Sequence, residues 1–184
     1  IKLAEYLNVP IVTAAGHGDA IPFNCKLNAG QMGPRGNRVA SKLVKEADVI
    51  VAIGTRLGFN STFYSYDNIN KKAKIIQIEL EKKMLGRYFP ISIGIHADAA
   101  TATNQIYKEL KRQKISLDTK DWTKKYFKER SKFLSDRDKS NKLKKFPIQP
   151  QDLFKELRKT LPKNSIITLD AGTLCLQATD ALEY

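Results

Sequence analysis

Apolar residues along this chain fall into short runs separated by longer mixed segments, which is the pattern of a parallel sheet. The clearest run, Ala47–Ile53, ends in Gly54 and Arg56, and a second run, Lys74–Glu79, follows it. These runs lack the two-residue alternation of half-exposed strands, so we interpret them as buried on both faces. Parallel strands need long crossovers rather than hairpins. We therefore predict an α/β, doubly wound parallel sheet with strands near 9–13, 48–53, 74–79 and 91–95.

Between these runs, helical periodicity and capping residues predict the crossovers. Asn37 and Asp98 are placed to cap helices that reach about residues 46 and 112, and another helix is predicted over 119–137. The segment 14–37 contains five glycines and two prolines, so we expect a long loop there. A loop of this length inside a compact domain usually serves a function.

The same pattern restarts after the proline-containing segment 146–150, which reads as a linker. We predict a helix over 151–160, a strand over 165–170 and another helix that opens at Gly172. A glycine at a strand-to-helix turn lets backbone N–H groups approach an anion, and the helix N-terminus adds a favourable dipole.

Charge narrows the classes of function. The chain has a net charge of +13, and residues 108–145 contribute +9 of it with aromatic residues interleaved. Such a stretch could hold nucleic acid. However, Trp122, Tyr126 and Phe133 recur at the spacing of one helix face. We therefore expect a solvated helix whose aromatics pack on the domain, and no nucleic-acid partner.

Residues for metal or membrane chemistry are scarce. The two cysteines and two histidines lie outside any metal-ligand spacing, so we assign no metal site to this chain. No apolar run reaches the roughly 18–20 residues that span a bilayer. We expect no membrane partner and a cytoplasmic location.

The order of these motifs resembles thiamine-diphosphate-dependent enzymes of the acetolactate synthase superfamily. The segments similar to that family's central domain are Leu3–Thr13, Gly30–Gly36, Ala47–Arg56, Ala73–Glu79 and Ile95–Ala99. Within the superfamily, His17–Pro22 and Gly54–Leu57 are most similar to the sulfoacetaldehyde acetyltransferase group. Toward the end of the chain, Ile166–Thr173 is similar to the opening of the diphosphate-binding domain.

This resemblance implies a domain organisation. Residues 1–145 would form the Rossmann-like central domain with a basic helical connector, without its first strand. That strand would precede Ile1 and lie in the middle of the sheet. Residues 146–184 would begin the C-terminal domain that binds thiamine diphosphate.

It also implies an activity for the parent protein. The family uses thiamine diphosphate and Mg²⁺ to make or break carbon–carbon bonds next to the carbonyl of a 2-oxo acid or aldehyde, as homodimers or homotetramers. Gly172 and Thr173 match the positions that touch the diphosphate. The family's general-acid glutamate and its Gly-Asp-Gly metal motif match nothing in this chain. We therefore assign no catalytic residue and expect the chain alone to be inactive.

The resemblance leaves open what the central domain binds, because some members hold FAD there, some ADP and others nothing known. The candidate nucleotide contacts are Gly33, Arg35, Gly54, Arg56 and Glu79, and His17 is a candidate substrate contact. Glu79 could accept hydrogen bonds from ribose hydroxyls. The segment 57–61 lacks the acidic, arginine-flanked sequence of flavin-binding relatives, so we do not expect FAD.

Two other classes of function stay open at this point. One is a non-catalytic nucleotide-binding Rossmann module, which would hold a nucleotide in the isolated chain. The other is a basic nucleic-acid-binding domain, which rests only on residues 108–145.

Overall fold

A computed structural model of the chain describes residues 1–33, 36–139, 146–162, 164–170 and 172–182. In chain order the elements are α1 (Lys2–Leu7), β1 (Ile11–Thr13), β2 (Asn28–Gln31), α2 (Arg38–Glu46), β3 (Val49–Ile53), α3 (Phe59–Thr62), β4 (Lys74–Glu79), β5 (Ile93–His96), α4 (Ala99–Arg112), α5 (Lys120–Asp138), α6 (Pro150–Thr160) and α7 (Thr173–Ala181). Two short 3₁₀ turns, Gly18–Ala20 and Lys82–Met84, follow β1 and β4.

All strand pairs in the described residues are parallel. β1 pairs with β2, and β3, β4 and β5 form a second sheet in that order. In that sheet Val51 lies opposite Ile76, which lies opposite Ile93. The predicted α/β parallel architecture is confirmed, with β1 and β5 beginning two residues later than expected.

One strand was missed by sequence reasoning. β2 lies inside the segment 14–37 that was predicted to be a continuous loop. Its sequence, Asn-Ala-Gly-Gln, has no apolar run and little strand propensity. The strand forms because β1 supplies a partner, beginning with the bond from the Ile11 amide to the Leu27 carbonyl at 2.7 Å, and because Ala29 is fully buried.

One predicted strand is absent. Residues 165–170 form neither helix nor strand, and Ile166 is 93% exposed. No strand among the described residues lies beside this segment, so its backbone groups have no ladder to join. An apolar run forms a strand only when another strand is available to pair with it.

The helix starts follow the predicted caps. The Asn37 side chain accepts a hydrogen bond from the Ala40 amide, and the Asp98 side chain accepts one from the Thr101 amide, both at 2.8 Å. These acceptors satisfy amides that have no partner within the first helical turn.

The main core lies on one face of the sheet β3–β5. Ala52 and Ile75 pack there with Val39 and Val44 of α2 and with Tyr126 of α5. α4 contacts β4, and Ile78, which points to the face opposite Ile75, is fully buried. Helices on both faces of a parallel sheet define the doubly wound arrangement.

Near the end of the described chain, α6 and α7 pack on each other through a smaller core. Its buried members are Phe154, Ala178, Ala181 and Leu182. The division of the chain at residue 145 stays a prediction.

Candidate functional site at the carboxyl edge

The carboxyl ends of β3 and β4 bring an arginine and two carboxylates together. Gly54 ends β3 with φ +62° and donates its amide to the Ile78 carbonyl at 2.9 Å. Two residues later, Arg56 Nη2 donates to Glu81 Oε1 at 2.8 Å, and its Nε lies 3.9 Å from Glu79 Oε2. The structure thus places Gly54, Arg56 and Glu79 at one edge, where open α/β sheets bind ligands.

Glu79 is the buried member of this group. Its side chain is 9% exposed, and Oε1 accepts a hydrogen bond from the Glu81 amide at 3.2 Å. A buried carboxylate needs such partners, because an unpaired charge away from water is costly. Arg56 and the Glu81 amide therefore explain the position of Glu79 without any ligand.

Gly33 has a structural role of its own. It adopts φ +117°, and a Cβ atom at this position would lie 2.7 Å from the Asn60 carbonyl oxygen in α3. Only glycine allows this conformation and this close approach together. The Ser41 hydroxyl also donates to the Gly33 carbonyl at 2.9 Å. Arg35 lies outside the described residues.

His17 is exposed, in the loop that leaves the carboxyl end of β1. Buried polar side chains anchor this loop: Gln31 Oε1 accepts from the Gly16 amide at 2.8 Å. The Asn28 side chain donates to the carbonyls of Ile21 and Pro22. The loop is therefore fixed at both ends, and its Ala15 amide donates to the Ser61 hydroxyl in α3 at 3.4 Å, which joins the carboxyl end of β1 to the segment after β3.

An aromatic patch beside this edge received no function from the sequence. We define it as Phe59, Phe63, Tyr64 and Tyr88, whose rings lie 4.6–5.7 Å apart between successive centroids. Phe63 and Tyr64 both have φ near +50°, a conformation that costs energy in residues other than glycine. A hydrogen bond with Tyr88 raises the pKa of Tyr64. In the sequence, this patch is indicated by the high density of aromatic residues over 59–66.

The predicted apolar face of the basic helix α5 is present. Tyr126 is buried, and its hydroxyl donates to the carbonyls of Asn28 at 2.9 Å and Lys26 at 3.2 Å. Arg130 is also buried, with its guanidinium 5.5 Å from the Phe133 ring centroid and 5.7 Å from that of Phe23. These contacts fasten α5 to the β1–β2 region and leave its lysines at the surface.

Gly172 and Thr173 form the exposed start of α7. Gly172 has extended backbone angles and no heavy atom within 4 Å of a Cβ built on it. No side-chain hydrogen bond caps this helix in the described part of the chain. A helix N-terminus that opens on an uncrowded glycine is chemically suited to an anion such as a diphosphate.

In the described part of the chain no group of three or more His, Cys, Asp or Glu side chains could hold a metal ion. Over the same residues, no helix combines the length and the apolar character that crossing a bilayer requires.

Comparisons with known proteins agree with the resemblance drawn from the motifs. Residues 1–106 match the family model described as "Thiamine pyrophosphate enzyme, central domain". The sulfoacetaldehyde acetyltransferase of Castellaniella defragrans is 29% identical over 99% of this chain, and that of Rhodobacter capsulatus is 37% identical over 60%. A probable acetolactate synthase large subunit of Methanococcus aeolicus is 29% identical over 94%.

These relatives are much longer than the chain, which covers 34%, 19% and 30% of their respective lengths. The family model covers more than half of the chain, and its strands fold as the parallel sheet expected of that domain. The chain belongs to the thiamine pyrophosphate enzyme family, whose central domain it contains.

Proposed function

We propose that this chain is part of an enzyme that uses thiamine diphosphate and Mg²⁺ to make or break carbon–carbon bonds next to a carbonyl. The single observation that carries the proposal is the match of residues 1–106 to the family's central domain. The similarity to sulfoacetaldehyde acetyltransferases over 99% of the chain supports its extension to residues 146–184. The substrate class would be a 2-oxo acid or an aldehyde.

When bound in such an enzyme, thiamine diphosphate would supply an electron sink for the negative charge that develops on the substrate's carbonyl carbon. The contribution of this chain would be to bind and orient. The amides at the start of α7, beside Gly172 and Thr173, would hold the diphosphate, since a helix N-terminus favours an anion. His17, exposed on an anchored loop, would contact the substrate.

We further propose that the parent enzyme is a cytoplasmic homodimer or homotetramer and that this chain alone is inactive. With thiamine diphosphate, Mg²⁺ and pyruvate, the 184-residue chain should release no CO₂ above background. Decarboxylation by the chain alone would show that catalytic residues have been overlooked in it.

Gly172 offers a direct test of the cofactor site in the longer protein. Gly172→Val should leave the fold intact, because the backbone is extended and nothing lies within 4 Å of the new Cβ. The added side chain would keep the diphosphate from the α7 amides. We expect the dissociation constant of thiamine diphosphate, measured by fluorescence titration with Mg²⁺, to rise at least about tenfold, which corresponds to roughly 1.4 kcal/mol.

Gly58→Val is the matched control. Gly58 also precedes a helix with extended backbone angles and has nothing within 4 Å of an added Cβ. Cofactor binding should be unchanged in this variant. Equal losses in both variants, or no binding by the parent protein, would overturn the assignment of the site.

A nucleotide at Gly33, Arg35, Gly54, Arg56 and Glu79 is the second candidate for this edge, because Gly54, Arg56 and Glu79 lie together at the carboxyl ends of two parallel strands. We propose that it is not FAD, so the purified protein should be colourless. A yellow preparation with one flavin per chain would refute this.

A further inference from the structure

The aromatic patch exposes three rings at one place on the surface. Phe59 is 53% exposed, Phe63 37% and Tyr64 50%, and Tyr88 is half-buried beside them. Phe59 and Phe63 stack with their centroids 4.7 Å apart, and Tyr64 connects this pair to Tyr88 on the segment after β4. Packing in a core does not account for rings in this position. Clustered apolar groups at the surface are typical of interaction sites.

The turn that carries Phe63 and Tyr64 is held by buried polar groups. These two residues have φ values of +50° and +55°, which residues with a Cβ atom adopt only under constraint. The buried Thr62 hydroxyl donates to the Leu57 carbonyl at 2.9 Å and accepts from the Tyr64 amide at 3.1 Å. The Asn68 side chain donates to the Thr62 carbonyl at 3.0 Å. The turn therefore presents both rings in a fixed position.

The segment that carries Tyr88 is fixed to the same part of the fold. The buried Gln77 side chain donates to the Thr55 carbonyl at 3.1 Å, in the segment after β3. Its oxygen accepts from the Gly86 amide at 2.8 Å, in the segment after β4. Phe89, next to Tyr88, is buried in the main core. Rings that are already held in place lose little freedom when they bind, which favours affinity.

One guanidinium lies against the aromatic patch. The Arg87 guanidinium carbon is 5.6 Å from the Tyr88 ring centroid. The Tyr88 side chain raises the pKa of Tyr64, and the charge of Arg87 acts in the opposite direction, so this charge lies near both phenols. Arg87 is exposed, its Nη1 contacts Met84 Sδ at 3.8 Å, and no carboxylate in the described part of the chain pairs with it. A guanidinium of this kind is suited to a carboxylate, which it can bind through two parallel hydrogen bonds.

We propose that the aromatic patch and Arg87 form a docking site for a separate protein whose contact segment carries a carboxylate beside an aromatic side chain. The partner's ring would pack on Phe59 and Phe63, and its carboxylate would accept hydrogen bonds from Arg87. Tyrosine and arginine are among the side chains that most often carry the binding energy of protein interfaces. The charge of Arg87 selects an acidic partner over a neutral one.

Other classes of occupant fit these observations less well. Sites for small molecules enclose most of the ligand, whereas half-exposed rings cover only one side of it. Nucleic acids and anionic membranes require several cations, but Arg56 and Lys83, on the same two segments as the patch, already pair with Glu81. A two-fold contact between copies would bring two Arg87 guanidiniums to the same patches without a carboxylate.

Titration of two short peptides into the longer protein tests the proposal. The probe is the peptide Gly-Glu-Trp-Gly, blocked at both ends and containing fluorotryptophan, and its partner has glutamine in place of glutamate. Fluorine NMR of the peptide measures binding to a protein of any size. We expect the glutamate peptide to bind at least about tenfold more tightly, because a charge-assisted hydrogen bond is stronger than a neutral one. Equal affinities, or no binding by either peptide, would overturn the proposal.

Substitutions assign the binding to named side chains. Arg87→Gln should remove the difference between the two peptides, and Phe59→Ala should weaken both by about fivefold. Both side chains are exposed, so the fold should be retained. Phe127→Ala, which removes an exposed ring from α5, is the control and should change neither affinity. An undiminished preference for glutamate in Arg87→Gln, or equal losses in Phe59→Ala and Phe127→Ala, would refute the site.

The same proteins identify any other occupant. Binding of the glutamate peptide by the 184-residue chain but not by the longer protein would show that the rest of that polypeptide covers the patch. A change of oligomeric state in Phe59→Ala, measured by sedimentation, would assign the patch to a contact between copies. Displacement of the peptide by phosphatidylserine vesicles or by oligothymidylate at physiological salt would assign it to a membrane or to nucleic acid. Each of these three results would overturn the proposal.

Discussion

Tyr126 lies on the most basic helix of the chain, yet its side chain is only 1% exposed. Burial raises the pKa of its phenol to about 12. The hydroxyl donates to the carbonyls of Lys26 and Asn28, so the protonated form is the one that the fold accommodates. The attachment of α5 to this region therefore depends on Tyr126 remaining protonated, and alkaline pH opposes it.

The expected consequence is a loss of stability at high pH. Above the ordinary pKa of 10.0 the unfolded chain releases the Tyr126 proton, while the folded chain keeps it up to about pH 12. The folded state then binds more protons, so the free energy of unfolding falls as the pH rises through this range. Tyr126→Phe should reduce this slope in urea titrations. Phenolate absorbance should show a tyrosine that ionises near pH 12 in the wild type and is absent from Tyr126→Phe, and an identical titration of the two proteins would contradict the prediction.

Gly33 allows a second test at the scale of one residue. Gly33→Ala combines a φ of +117° with a contact of 2.7 Å between the new Cβ and the Asn60 carbonyl oxygen. Gly16→Ala has a positive φ of +86° but nothing within 4 Å, so it measures the backbone cost alone. We expect Gly16→Ala to cost about 1 kcal/mol and Gly33→Ala about 2–4 kcal/mol in urea unfolding. Equal costs would mean that α3 moves away without penalty.

Among the elements, α2 and α4 begin with caps of the same chemistry in different surroundings. The exposed Asp98 carboxylate only caps α4, and its pKa is lowered by hydrogen bonds from Thr101. The buried Asn37 caps α2 and also donates its amide to the Ala29 carbonyl in β2 at 2.8 Å. Asn37 therefore ties a helix to a strand, whereas Asp98 serves its own helix.

Replacing the two caps should separate these roles. Asp98→Ala should lower the free energy of unfolding by the smaller amount, because only one capping hydrogen bond is lost. Asn37→Ala should cost about 2–3 kcal/mol, because a buried carbonyl also loses its donor. The contribution of Asp98 should be present above the ordinary carboxyl pKa of 3.8 and lost as the pH falls through its lowered pKa in the folded state. Urea titrations at neutral and strongly acidic pH measure both effects, and an equal cost for both variants at neutral pH would refute the distinction.

These elements also show which structural features could be predicted from the sequence. The strand β3 and the caps Asn37 and Asp98 were predictable, because an apolar run and a polar residue before a helix act locally. The prediction that this run is buried on both faces was wrong, since Val49, Val51 and Ile53 are exposed. β2 was not predictable, since it forms by pairing with β1, which is a tertiary contact. The close approach of Gly33 to α3 was equally invisible, because it joins parts of the chain that only the fold brings together.

At the scale of the whole molecule, the excess positive charge and the candidate functional site lie in different places. Arg56, Glu79 and the exposed His17 lie at the carboxyl edge of the parallel strands. The basic residues 108–139 instead belong to α4, α5 and the segment between them. Some of these cations form ion pairs, such as Lys125 with Glu46 at 2.9 Å, while Tyr126 and Phe133 pack in the core. The excess charge is therefore a property of the surface and not of the candidate site.

Binding to an oligonucleotide should reflect that separation. We expect weak association that is independent of sequence and falls steeply with salt, because each phosphate contact contributes close to one unit to the slope of log affinity against log salt. Tyr126 is buried and Phe133 lies between two guanidiniums, so neither ring is free to stack on a base. Titration of a fluorescent oligonucleotide at two salt concentrations, followed also by Trp122 emission, measures both features. Lys128→Gln on α5 should lower the slope by up to about one unit, whereas Lys72→Gln, on an exposed loop before β4, should not. Tight binding at physiological salt with quenching of Trp122 would instead make α5 a nucleic-acid interface.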